Sequence, residues 1–112
     1  MDSAGQFRSS HRIDNRLAVA LPVKVISNEI GVAPQLSCTS EISRRVVRLR
    51  LVRGVSAEGQ EIWLKHHNIM AKYRVIWMSS DHDPEAGQFE AECMEDVMIW
   101  DKETNCRLKT NC

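Results

Sequence analysis

The feature that most constrains this chain is a two-residue hydrophobic period that recurs between closely spaced turn formers. Leu17, Val19, Leu21, Val23 and Val25 alternate along one segment, as a strand with a single buried face requires. Pro22 falls on the other face and predicts an edge or a bulge there, because it has no N–H for a ladder. After the turn formers Asn28, Gly31 and Pro34, Leu36 to Ile42 reads as a second strand. Val47, Leu49 and Leu51 point inward in a third, which leaves Arg48 and Arg50 outside. Gly54 and Gly59 bracket a turn before a short strand at Ile62 to Leu64, and His66-His67-Asn68 forms a hairpin tip. Met70 to Met78 and Gln88 to Met94 complete the set, separated by an acidic turn at Asp81 to Glu85 with Gly87. Strands this short and close leave no room for crossover helices. The pattern therefore predicts an all-β antiparallel barrel or sandwich.

Residues 1–16 are polar and aperiodic and read as a flexible arm, with the folded domain over 17–101 and a polar tail over 102–112. Cys93, Met94, Val97, Met98 and Trp100 keep a helix-like spacing, which predicts a short terminal helix there. With 112 residues, 43% of them hydrophobic and 27% charged, the chain has the composition of one ordinary globular domain. So small an interior leaves little room for a deep catalytic cleft and favours binding on the surface.

The net charge of zero hides an asymmetry. Residues 1–54 carry nine basic against four acidic side chains, a net of +5, and residues 55–112 carry the compensating −5. Eight of the nine cations are arginines. The guanidinium fork matches phosphate and the Hoogsteen edge of guanine, which a lysine ammonium cannot copy. Nucleic acid is nevertheless an improbable partner, since Phe7 is the one aromatic residue in that half and offers little stacking platform.

Other chemistry finds little support. Cys38, Cys93, Cys106 and Cys112 lack zinc-like spacing and read as ordinary thiols, with Cys106 and Cys112 able to oxidise in the polar tail. His66 and His67 are adjacent and point to opposite faces if both lie in a strand, so no metal site is expected. Asp81, His82, Asp83 and Glu85 lack the loop of an EF-hand. No nucleophile and base pairing emerges, so the chain is not expected to be an enzyme, and no cofactor is expected. The absence of a signal segment and of a long apolar span predicts a cytoplasmic protein that does not enter membranes.

Two further motifs carry a resemblance. Arg12-Ile-Asp-Asn-Arg16 precedes the first alternating strand, and Glu41-Ile-Ser43-Arg-Arg-Val46 leads into Val47-Arg-Leu-Arg-Leu51. Together with Arg74-Val-Ile-Trp77 and Gly87-Gln-Phe-Glu-Ala-Glu92, these segments resemble the PilZ domain family over residues 10 to 100. The resemblance implies a six-stranded antiparallel barrel that binds cyclic di-GMP on its outer surface, with the arm closing over the ligand. It places Arg12 and Arg16 on phosphates and guanine edges, and Glu41, Ser43, Arg44, Arg45 and Val46 at the second ligand-binding motif. That motif departs from the family pattern in two places: Glu41 stands where Asp or Asn is usual, and Val46 where Gly is usual. Glycine permits close approach and positive φ, and a β-branched residue resists both. The alternative implied by those departures is a degenerate barrel that binds no nucleotide and acts as an adaptor in pilus, motility or biofilm machinery. In either case an unidentified downstream protein is the expected partner.

Overall fold

The computed structural model describes residues 16–79 and 87–109. Six strands, β1 (Pro22–Ile26), β2 (Gln35–Ile42), β3 (Val46–Arg50), β4 (Glu61–His66), β5 (Ile69–Met78) and β6 (Gln88–Cys93), are followed by one helix, α1 (Lys102–Lys109). The strands close into an antiparallel barrel in the order β1-β2-β3-β6-β5-β4, so no edge is left unpaired. Arg12 and the acidic turn at Asp81 to Glu85 lie outside the described residues.

Alternation fills the interior. Val23, Val25, Leu49, Ile62, Leu64, Val75 and Phe89 are all at or below 1% exposure. Tyr73 joins them, and burial pushes its phenol pKa up, so the ring stays neutral.

The first strand is shorter than its alternation predicts. It begins at Pro22, where a missing N–H costs no ladder bond. Leu17 instead exchanges backbone hydrogen bonds with Ile42 at 2.8 and 2.9 Å. The buried Thr39 hydroxyl then spans the gap, accepting from the Leu21 N–H at 2.9 Å and donating to the Val19 carbonyl.

Two bulges change which face a residue occupies. Ser37 and Thr39 point inward, so strict alternation would drive Glu41 into the core. A bulge between Thr39 and Glu41 inserts one residue, which turns Glu41 out and leaves Ile42 inside at 0% exposure. A second bulge, between Val75 and Trp77, does the same in β5 and pairs Trp77 with Glu90.

The helix also differs from expectation. Residues 94–100 form no helix; Ile99 and Trp100 are instead buried against the core. Helix α1 starts two residues later, inside the segment read as a polar tail. Its signals are local: the Asp101 carboxylate accepts from the Thr104 N–H at 2.8 Å, Glu103 lies in the first turn, and Arg107 and Lys109 lie in the last. The Thr104 backbone and then its hydroxyl hold the Asp101 carboxyl below its ordinary pKa. Leu108 docks the helix at 1% exposure.

The histidine pair sits closer than a strand would place it. His67 takes a left-handed φ of 57° at the hairpin tip, so its ring meets His66 edge-on at 4.2 Å between centroids. Among the described residues no group of three or more His, Cys, Asp or Glu could hold a metal ion. Cys38 and Cys93 are free thiols, whereas Cys106, read from the sequence as a thiol able to oxidise, is disulfide-bonded. No helix among the described residues is long and apolar enough to cross a membrane.

Candidate functional site

The two bulges build one row of side chains across the outer wall. Glu41 on β2 pairs in register with Arg48 on β3, Arg48 with Glu90 on β6, and Glu90 with Trp77 on β5. Arg16 extends the row at its open end through an ion pair of 3.0 Å from Nη1 to Glu41 Oε1.

The far half of the row is internally satisfied. Arg48 donates from Nε and Nη2 to Glu90 Oε2 at 3.0 and 2.7 Å, and its guanidinium lies 5.3 Å from the Trp77 ring centroid. Covered in this way, Glu90 is 3% exposed although it points away from the barrel interior.

The near half is not. The Arg16 side chain is 19% exposed, and its Nε and Nη2 are buried without a hydrogen-bond partner among the described residues. A buried donor left unpaired costs roughly 1–3 kcal/mol. Arg16 therefore presents two directed donors beside a carboxylate, with nothing yet accepting from them.

Ser43 to Val46 close the β2–β3 hairpin beneath this end. The Ser43 N–H donates to the Val46 carbonyl at 2.8 Å, while the Val46 N–H donates to the Ser43 hydroxyl at 3.1 Å. Ser43 is 3% exposed, and its Oγ also lies 3.1 Å from the Val46 carbonyl oxygen, so this hydroxyl is engaged within the turn. Arg44 and Arg45 form the exposed tip. Arg45 is tied sideways: its Nη2 donates to the Cys93 carbonyl at 2.7 Å, and its own carbonyl accepts from the Cys93 N–H at 2.7 Å. Both arginines line a groove of about 470 Å³ that runs between the turn, Glu95, Asp96 and the last turn of α1 at Lys109.

The structure thus brings Arg16 and Glu41 into contact and places Ser43, Arg44, Arg45 and Val46 in the adjoining turn. Arg48, Glu90 and Trp77 share the wall with them and were not singled out from the sequence as site residues. Their only sequence signal is the outward position of Arg48 in its strand, because the bulge that turns Trp77 out leaves no mark in the alternation.

With this geometry established, comparison with solved structures is decisive for the architecture. The chain superposes on the PilZ domain of CeSA from a cellulose-synthesizing bacterium with a TM-score of 0.57, at 12% identity over 74% of this chain and 83% of that one. It also superposes on the inhibitor of motility MotI/DgrA of Bacillus subtilis with a TM-score of 0.60, at 16% identity over 85% of this chain and 46% of that one. The barrel has the PilZ fold. No family model matches the sequence, and no curated protein matches it either. At these identities the PilZ likeness is one of architecture: strand order, closure and a short C-terminal helix.

Proposed function

We propose that this PilZ-like domain is a receptor for cyclic di-GMP, holding the nucleotide on the outer wall at the Arg16 end of the row and signalling by a change of surface rather than by catalysis. The observation that carries the reading is Arg16, whose Nε and Nη2 are buried and unpartnered beside Glu41. A phosphate, or the O6 and N7 edge of guanine, accepts from such a fork in the bidentate manner that makes arginine selective. The ligand carries both groups twice. In this reading Arg12 supplies a second fork, Glu41 accepts from the guanine N1 and N2 hydrogens, and Arg44 at the exposed turn reaches phosphate. Ser43 holds the turn, and Arg45 contributes if it exchanges the Cys93 carbonyl for a phosphate oxygen.

Isothermal titration calorimetry with cyclic di-GMP, and with GTP as the control at matched salt, tests the reading. Selective binding at micromolar affinity or better is expected, with Arg12→Ala and Arg16→Ala each nearly abolishing it. Equal affinities across wild type and these variants would overturn the placement.

One observation favours a second reading, in which the barrel is a protein adaptor. Glu41 already occupies one arm of the Arg16 fork, and Val46 fills the position that is usually glycine with a side chain only 6% exposed. An absence of heat, with unchanged amide shifts at Arg16 and Ser43, would select this reading.

A further inference from the structure

The opposite wall of the barrel carries a second row in register, of different chemistry. Leu36 on β2 pairs with Lys24 on β1, Lys24 with Lys65 on β4, and Lys65 with Met70 on β5. Two lysines are thus cross-strand partners on adjacent strands, and like charges at such positions destabilise a sheet. Among the described residues neither has a carboxylate within ion-pair distance. The nearest acid on the outer faces of β4 and β5 is Glu61, which is engaged by Lys72 at 3.7 Å and Arg74 at 3.6 Å.

The lysine pair is flanked by apolar side chains that the fold leaves in water. Leu36 is 75% exposed and Met70 45%, with Ile69 beside it at 43%. Single exposed apolar residues are ordinary on protein surfaces. Here they bracket a basic pair in one register row, and the row holds a concave groove of about 220 Å³ lined by Pro22, Lys24, Leu36, Lys65 and His67. Three strand spacings of roughly 4.8 Å make the row about 14 Å wide, comparable to a helix or an extended segment with its side chains.

We propose that this wall is a docking site for a protein segment that presents a carboxylate between apolar side chains. The carboxylate bridges Lys24 and Lys65 and removes their mutual repulsion, while the flanking side chains cover Leu36 and Met70. Charge complementarity selects an acidic segment. The concavity selects an inserted side chain over a flat bilayer surface. A second copy of the same row is excluded as occupant by its own two lysines. The proposal does not rest on nucleotide binding, since the two rows lie on different walls.

The test is to pan a phage-displayed library of random peptides on the immobilised full chain, with counter-selection on the Lys24→Glu, Lys65→Glu double variant. Enriched sequences are expected to carry Asp or Glu next to Leu, Ile or Phe. A synthetic peptide of that sequence should shift the amides of Lys24, Leu36, Lys65 and Met70, and should bind the double variant about tenfold or more weakly. Leu36→Ser, which removes an exposed side chain and keeps the thermal midpoint, should also weaken it. Peptides that bind wild type and double variant equally, or that shift the Arg16 wall instead, would overturn the proposal. So would flotation of the chain with phosphatidylglycerol vesicles through Lys24 and Lys65, which would assign the wall to a bilayer, or self-association that the double variant abolishes.

Discussion

Position 46 allows a side chain's volume to be separated from its backbone preference. Val46 opens β3, pairs with Glu92, and exchanges hydrogen bonds with Ser43 across the turn. Among the described non-glycine residues positive φ occurs only at His67, so residue 46 holds ordinary strand geometry. A glycine there is not required by the turn. Any obstruction to a ligand is therefore the isopropyl group, which is 6% exposed.

Val46→Ala removes two buried methyl groups, a loss of about 1.5 kcal/mol at ~0.8 kcal/mol for each carbon. Val46→Gly adds roughly 0.5–1 kcal/mol of backbone entropy, for about 2–2.5 kcal/mol in all. For a domain of this size each kcal/mol lowers the thermal midpoint by about 4 °C, so the two variants should melt ~6 and ~10 °C below wild type without ligand. Calorimetry with cyclic di-GMP should then show both variants binding more tightly than wild type, with alanine recovering most of the gain. If glycine strengthens binding and alanine does not, the backbone must move to positive φ in the complex, and the volume argument is refuted. If neither does, residue 46 does not wall the site.

Gly54 has a φ of 98°, and a Cβ there would stand 2.7 Å from the Ser27 Cβ and 2.9 Å from Val32 Cγ1, so Gly54→Ala should lose about 3 kcal/mol or more in urea unfolding. Gly31→Ala, at a φ of 86° with nothing within 4 Å of the added carbon, should lose only ~1 kcal/mol by the same measurement. Arg48→Ala strands a carboxylate whose side chain is 4% exposed and should cost about 3 kcal/mol, whereas Glu90→Gln leaves a 24% exposed guanidinium in reach of water and should cost less; chemical unfolding of both variants gives the order. Because its folded pKa is depressed, the Asp101 cap stabilises α1 above the unfolded value near pH 4 and is lost as pH falls through the folded value. Asp101→Asn keeps a capping oxygen without the charge, so melts at stepped pH should show wild type losing more stability than the variant as pH falls below the unfolded carboxyl value.

Strands were legible wherever alternation ran unbroken. Val23 with Val25, Val47 with Leu49, and Ile62 with Leu64 all point inward as their spacing predicts. Legibility failed where one residue changes parity. The bulges at Thr39/Glu41 and Val75/Trp77 place a carboxylate and an indole on the outer wall; the charge of Glu41 conflicts with an inward position, whereas Trp77 does not differ in composition from a residue that would stay inside. The helix was misplaced for a related reason. Met98, Ile99 and Trp100 pack against the core without forming a helix and Val97 stays exposed, while the real helix announces itself by the Asp101 cap and terminal charges in a segment with little apolar content. At the site, Arg16, Glu41 and the Ser43 turn were reached through the motif resemblance. The local bond that engages the Ser43 hydroxyl and the sideways tie of Arg45 to Cys93 depend on tertiary placement.

Along the Arg16 row the charge asymmetry of the sequence does not become a basic field. Arg16 and Arg48 alternate with Glu41 and Glu90 along one row, so that wall holds two cations against two anions. Arg45 is anchored to a backbone carbonyl, and Lys24 stands on the far wall. Of the described cations in residues 1–54, Arg16 is paired with Glu41 of the same half and Arg48 with Glu90 of the acidic half. A polyanion that binds by counterion release needs contiguous unpaired cations, and along this row Arg16 and Arg48 each stand against a carboxylate. What the Arg16 wall offers is directional: two buried N–H donors in a fixed plane next to an acceptor. Recognition at such a place depends on the geometry of the ligand's oxygens and nitrogens more than on its total charge. A small planar anion with both donors and acceptors fits that requirement, and a long duplex does not.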